Sequence, residues 1–334
     1  MGVVFVVQTA ASQGGLGHGL WVDQAIGSSG STRAGHLNAT LRGVAVSDKR
    51  SDEEVARLFR EELDKHGYSF QDAMVRAINE VNRVASPFST WLPWIPELPV
   101  EVQGSHTRID FVYGNDKGFY LVFECKRSNP AVSNWCFAKT CFTLRDHLFS
   151  KVYAESIVDI GTGVLRSNIE QLYQSDDLYQ IALDVKSSSK GDPDSRGRGQ
   201  IEDAATQVCR HLNGLVQFYH GHTALMTTQK PNNKKRIVFV PVILTTASLW
   251  TTEFDLSMAN PESGKIAASD FTVREVPWLW YQYHQSPGLK HSAPTNFQPS
   301  GDIENILFYE FVRPIAIVTP KGLEKFLRLQ IWNS

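Results

Sequence analysis

Between Arg108 and Arg127 the chain confines two carboxylates and a lysine to adjoining apolar segments. Arg108-Ile109-Asp110-Phe111-Val112 sets an acid inside an apolar strand, and Tyr120-Leu121-Val122-Phe123-Glu124-Cys125-Lys126-Arg127 carries Glu-x-Lys among apolar neighbours. Side chains two apart on a strand face the same way, so Glu124 and Lys126 share one face and Leu121, Phe123 and Cys125 the other. The linking residues Gly114-Asn115-Asp116-Lys117-Gly118 read as a hairpin turn. A hairpin brings Asp110 alongside Glu124. Two carboxylates about 4 Å apart repel by roughly 4 kcal/mol at an effective dielectric of about 20. Such a pair calls for a cation, and oxygen ligands suit Mg²⁺ or Mn²⁺. Lys126 then neutralises a developing negative charge or orients a water. A purely structural ion cluster is the weaker explanation, because desolvation of buried ions often exceeds their Coulombic gain.

The surrounding pattern is helix, strand, strand, strand, helix, strand. Ser51-Asp52-Glu53-Glu54 has the form of a capping box, and Val55, Leu58, Phe59 and Leu63 follow at helical spacing. A second helix is predicted over 69–84, with Phe70, Met74, Ala77, Ile78 and Val81 inward. Leu98 to Val102 reads as the first strand. Residues 131 to 199 read as an insertion that ends in a flexible loop, Ser187 to Gly199. Ile201, Ala205, Val208, Leu212, Leu215 and Val216 repeat at three and four, which predicts a helix from Gln200 or Ile201 to Tyr219. Ile237 to Thr246 is a continuous apolar run and reads as a buried strand. Further strands are expected near Trp250, at Trp278–Tyr281 and over Ile306–Thr319, bent at Pro314, with a short helix over Lys321–Leu329. The expected fold is α/β: a mixed central sheet flanked by helices, enlarged by the insertion and a C-terminal extension. Residues 1 to 50, rich in glycine but without a phosphate-loop pattern, read as an arm preceding a domain over 51–334.

Composition limits the classes available. The 334 residues carry a formal net charge of -2, so nucleic-acid binding requires a local basic patch rather than a global field. Arg196 and Arg198 in the glycine loop, and Lys230, Lys234, Lys235 and Arg236 before the buried strand, are the candidates for phosphate contacts. The four cysteines form no CxxC pair, which argues against structural zinc and fits free thiols in a reducing cytoplasm. The apolar start Met1–Val7 is too short for a signal peptide or a membrane span, so no membrane partner is expected. Trp250, Trp278 and Trp280 alternate with aliphatic residues, which favours burial over base stacking. No HExxH, GxSxG or P-loop pattern occurs.

The Asp110, Glu124 and Lys126 arrangement, with the order of elements around it, resembles the PD-(D/E)xK nuclease superfamily, the restriction-endonuclease-like fold. Ile109 stands where the family motif has proline, and the resemblance covers roughly residues 60 to 250. It implies that Asp110 and Glu124 bind one or two Mg²⁺ (or Mn²⁺) ions, that the backbone carbonyl of Cys125 is a third ligand, and that Lys126 orients the attacking water or stabilises the transition state. An acid on the first core helix often completes such sites. Glu80, Glu62 and Asp72 are the choices, with Glu80 favoured because its helix lies nearest the strands in sequence. Some branches place a QxxxY element beside the metals. Gln207 matches its glutamine, and His211 stands where that element has tyrosine. The resemblance implies metal-dependent hydrolysis of phosphodiester bonds in nucleic acid, most readily a DNA endonuclease of a restriction or defence type. The alternatives are a nucleic-acid-binding module that does not cut, and a homo-oligomeric or defence-complex subunit built on the same fold.

Overall fold

The computed structural model describes residues 51–84, 90–94, 96–102, 104–128, 133–139, 151–159, 165–175, 177–185, 199–222, 236–252, 259–267, 271–285 and 312–333. The arm over residues 1 to 50 and the proposed phosphate contacts Arg196, Arg198, Lys230, Lys234 and Lys235 lie outside them.

Helix α1, Asp52–Lys65, begins where the capping box predicts, with the Glu54 N–H donating to Ser51 Oγ at 3.2 Å. Its apolar stripe is not buried as the spacing predicts: Val55 is 51% and Phe59 65% exposed. Gly67, at φ +81°, makes the turn into α2, Tyr68–Val84, which buries Met74 and Ile78. Five short strands follow: β1 Leu92–Pro93, β2 Leu98–Val102, β3 Ser105–Ile109, β4 Phe111–Gly114 and β5 Phe119–Lys126. Next come β6 Asn134–Ala138, β7 Lys151–Asp159, β8 Leu165–Gln174, β9 Leu178–Tyr179 and β10 Ile181–Val185. Helix α3 spans Gln200–Gly221. Strands β11 Arg236–Thr245, β12 Ser248–Thr252, β13 Val273–Val276, β14 Trp278–His284 and β15 Val312–Val318 lead to the short helix α4, Leu323–Leu327.

The main sheet is mixed and runs β1-β4-β5-β11-β15-β14-β9. Its centre, β11, is buried along almost its whole length and lies parallel to β5 and β15, as a continuous apolar run requires. β5 occupies one edge of β11 from Val238 to Thr245. The other edge is shared: β7 pairs antiparallel with Arg236–Phe239, and β15 takes over at Val242–Leu244. Pro241 lies at this fork, where a missing N–H costs no ladder bond on that edge. Residues 131–199 are therefore more than an appendage, since β7 with β8, and β9, belong to the main sheet. β6 and β10 join β12 and β13 in a four-stranded second sheet, and β2 with β3 forms a hairpin of its own.

Alternation sorts the side chains of β5 onto two faces. Phe119, Leu121, Phe123 and Cys125 pack with Met74 and Ile78 of α2, Phe326 of α4 and Trp332. Tyr120 and Val122 face the other way, against Leu212, Leu215 and Tyr219 of α3. Further along, Ile243, Ile315 and Ile317 pack on Ala204, Ala205 and Val208 of α3. The sheet thus lies between α2 and α4 on one face and α3 on the other, and Glu124 and Lys126 fall on the α3 face. Trp280 is buried, and Trp250 donates to Asn134 Oδ1, so neither is an open stacking platform. Among the described residues no helix is long and apolar enough to cross a membrane.

Candidate active site

Asp110 is not inside one continuous strand. It occupies the bend where the chain leaves the β2–β3 hairpin as Ile109 and enters the main sheet as Phe111. The two registers meet there. Leu98 pairs with Ile109, so Glu97 lies opposite Asp110; Phe111 pairs with Phe123, so Asp110 lies opposite Glu124. Three acids therefore stand in a row across neighbouring segments, at the carboxyl ends of the parallel strands β5 and β11. In open α/β sheets ligands bind outside that end.

Each member of the row is held. The Cys125 N–H donates to Asp110 Oδ2 at 2.6 Å. Gln71, in the first turn of α2, donates from Nε2 to the Asp110 carbonyl at 2.9 Å and to Glu97 Oε1 at 3.0 Å. The Glu97 N–H donates to the same carbonyl at 3.0 Å. Glu97 has φ +52°, the sparsely populated left-handed region for a residue with a side chain. Glu124 is 2% exposed, and Lys126 Nζ donates to its Oε1 at 2.8 Å. The same ammonium donates to Gln207 Oε1 at 2.8 Å, so α3 fixes the lysine that β5 presents. Lys126 remains 30% exposed, open to solvent where Glu124 is not.

Burial governs the charge of this cluster. It pushes Asp110 up to about 6; the Cys125 N–H opposes the rise, Glu97 adds to it, and Lys126 opposes it. Glu124 is pushed up to about 8 by burial first and by Asp110 next, against the attraction of Lys126. A 2.8 Å ion pair and a carboxyl that holds its proton this firmly pull in opposite directions. Burial and the neighbouring acid win, because one partly solvated ammonium offsets only part of two buried charges. The Cys125 thiol is raised well above its ordinary value, mainly by burial, and faces the core rather than the site.

His211 lies four residues beyond Gln207, one turn along α3, and is fully buried. Its Nδ1 is 3.3 Å from Glu124 Oε2, and its Nε2 is 3.0 Å from Thr107 Oγ1. Burial, with Lys126 and Arg210 adding to it, lowers His211 to about 3, so the ring is neutral and its contact with Glu124 is not a salt bridge.

The other expected residues fall elsewhere. Glu80 pairs with Arg83 at 3.2 Å and is 63% exposed. It lies about 13 Å of helix beyond Gln71 at 1.5 Å per residue, on the helix that covers the opposite face of the sheet. Glu62 pairs with Lys65, and Asp72 with Arg76. The acid that acts on both Asp110 and Glu124 is Glu97, which the sequence reading missed. Its signal was the Pro96-Glu97-Leu98 step into a strand that pairs with the Asp110 segment. Arg236 donates to Glu170 Oε1 at 2.8 Å and stacks over Phe119. It begins β11, whereas Ile243, the partner of Glu124, lies about 23 Å further along the strand.

The donor set suits a hard divalent cation. Glu124 Oε2 is buried without a hydrogen-bond partner of good geometry, and the adjacent Asp110 adds a second carboxylate. Mg²⁺ is commonly held by one or two carboxylates and completed by water. Among the described residues no three His, Cys, Asp or Glu side chains converge into a metal cage; Asp110 and Glu124 are the two carboxylates that could hold a cation. No family model matches the chain, and no curated protein or solved structure is similar to it at a significant level.

Proposed function

We propose that the chain is a metal-dependent nuclease of the PD-(D/E)xK type, hydrolysing phosphodiester bonds in nucleic acid, with DNA the favoured substrate. One observation carries the reading: Asp110 and Glu124 are adjacent across a hairpin, and Lys126, on the Glu124 face, is oriented by a glutamine from the helix that covers that face. The crossover from β5 through α3 to the parallel β11 agrees with the restriction-endonuclease-like order of elements.

Asp110 and Glu124 would hold Mg²⁺ or Mn²⁺, with the Cys125 carbonyl as the third ligand the resemblance assigns. The bound cation supplies a more acidic water and offsets charge on the phosphorus. The Cys125 N–H fixes Asp110 through Oδ2. Gln207 fixes Lys126, whose ammonium faces solvent from the same strand and is placed to meet the developing negative charge or to orient the attacking water. Arg236, the described residue of the basic segment, begins β11 at the end of the strand away from Glu124.

A non-cleaving nucleic-acid-binding or complex-forming role is the second reading. It is favoured by the modest ligand set, two carboxylates with no third side chain in a cage among the described residues. Incubation of wild type and Lys126→Ala with plasmid DNA and with single-stranded RNA in Mg²⁺ separates the two. The nuclease reading expects cleavage by wild type and a loss of about a hundredfold or more in the variant. Binding without cleavage by wild type supports the second reading.

A further inference from the structure

The proposed reaction makes no use of His211, yet its ring is enclosed by polar atoms from two different strands. Nδ1 faces Glu124 Oε2 at 3.3 Å, and among the described residues neither atom has a hydrogen-bond partner of good geometry. On the opposite side Nε2 lies 3.0 Å from the hydroxyl of Thr107, which β3 presents. The ring is fully buried on α3. A neutral imidazole has one N–H and one bare nitrogen. With a cation bound and Glu124 ionised, a proton on Nε2 would set bare Nδ1 against a carboxylate oxygen, leaving two buried acceptors against each other at about 1–3 kcal/mol apiece. If it sits on Nδ1, that N–H donates to Glu124 and the threonine hydroxyl donates to Nε2. Thr107 suits this arrangement because a hydroxyl donates as readily as it accepts.

Resting on the nuclease reading above, we propose that His211 is a positioning residue: its Nδ1–H, set by the Thr107 hydroxyl, holds the ionised Glu124 carboxylate in the orientation that binds the divalent cation. Lys126 holds Oε1 and His211 holds Oε2, so the carboxylate is clamped from both sides. Each oxygen keeps a further lone pair for a cation. Partners behind metal-ligating groups commonly change affinity by about 10- to 100-fold when removed. The 3.3 Å separation is long for such a bond, as hydrogen bonds at unloaded sites often are, and would tighten with a cation bound.

The test is calorimetric titration of the full chain with MgCl₂, comparing wild type, His211→Leu, His211→Asn and Thr107→Val. Thermal melts alongside show that each variant is folded. Leucine removes both nitrogens, whereas asparagine keeps an N–H near the place of Nδ1. His211→Leu is expected to weaken Mg²⁺ binding about 10- to 100-fold, His211→Asn to recover to within about threefold of wild type, and Thr107→Val to fall between them. In ¹⁵N spectra of the Mg²⁺-loaded wild type, the His211 signals should show the proton on Nδ1. Unchanged affinity in His211→Leu overturns the proposal. So does an asparagine variant as weak as the leucine one, which would make the role steric, or a proton found on Nε2. If the leucine variant does not fold, Thr107→Val and the ¹⁵N spectrum decide. Failure of wild type itself to bind Mg²⁺ is a separate outcome and defeats the cation reading on which this one rests.

Discussion

Two places in this protein bury an acid beside a cation, and they are built on opposite terms. At the fork in the main sheet, Glu155 of β7 meets Arg313 of β15 at 3.9 Å, both almost wholly buried, one acid to one base. Ser167 and His220 close the surroundings with a 2.8 Å hydrogen bond. At the end of β5 and β11, Glu124 and Asp110 share one ammonium, with Glu97 adding to the same field. The fork closes a gap where β11 changes partners, and its charges balance. The row of acids sets three carboxyl groups against one ammonium that reaches solvent, and Glu124 Oε2 has no hydrogen-bond partner among the described residues. Structure alone needs only the first kind. The second is the arrangement that the proposed divalent cation would complete.

The largest expected effect lies at the fork. Arg313→Leu removes the cation beside buried Glu155 and should lower unfolding stability by about 3–5 kcal/mol in urea melts. Nucleic-acid cleavage by the fraction that stays folded should be unchanged. A loss of cleavage without a loss of stability would reverse the roles assigned to the two places. Next comes Lys126→Ala, where the opposite pattern is expected. Cleavage should fall by about a hundredfold or more, while stability changes by no more than about 1 kcal/mol, because the lysine is partly exposed.

How much of this was legible in the sequence depends on the range of the contact. The β5 alternation, the Glu-x-Lys pair, the hairpin that sets Asp110 opposite Glu124, and the α3 periodicity are local patterns, and the structure has them. So are the strands at Leu98 and at Trp278. What the sequence reading missed is set by long-range geometry. The bend at Asp110 is invisible in an apolar run that looks like one strand. Glu97 enters the row only because β2 pairs with β3 in a particular register. His211 is polar in a helical repeat, and only the packing of α3 on β5 buries it against Glu124. Glu80 was favoured on closeness in sequence, but the α2 side chain that reaches the Asp110 segment is Gln71, nine residues earlier, and Glu80 pairs with Arg83. The exposed stripe of α1 shows the converse, an amphipathic period that the described residues do not bury.

A smaller effect sharpens the comparison through pH. Glu124 in the folded protein holds its proton up to about 8, against an ordinary value of 4.5. Below 4.5 it is protonated in both states and contributes nothing. As pH rises from 4.5 to 8, the unfolded chain releases the proton first, so metal-free stability should fall across that window. Asp110 acts with the same sign between 3.8 and about 6. Glu155 does so between 4.5 and about 7, and Arg313 opposes it. Glu124→Gln should flatten the upper part of the fall and make the metal-free protein about 1 kcal/mol more stable at pH 8 than wild type. Denaturant melts from pH 5 to pH 9 measure this. A slope unchanged in Glu124→Gln would mean that the surplus charge lies elsewhere.

The central claim, that the Asp110 and Glu124 pair is completed by a divalent cation, is tested most directly by melting wild type and Asp110→Asn across a Mg²⁺ titration. Binding to the native state stabilises by about 2.7 kcal/mol when the ion is at a hundred times its dissociation constant. The account predicts a rise in Tm with Mg²⁺ in wild type that disappears in Asp110→Asn. Equal rises in both proteins, or none in wild type, would contradict it.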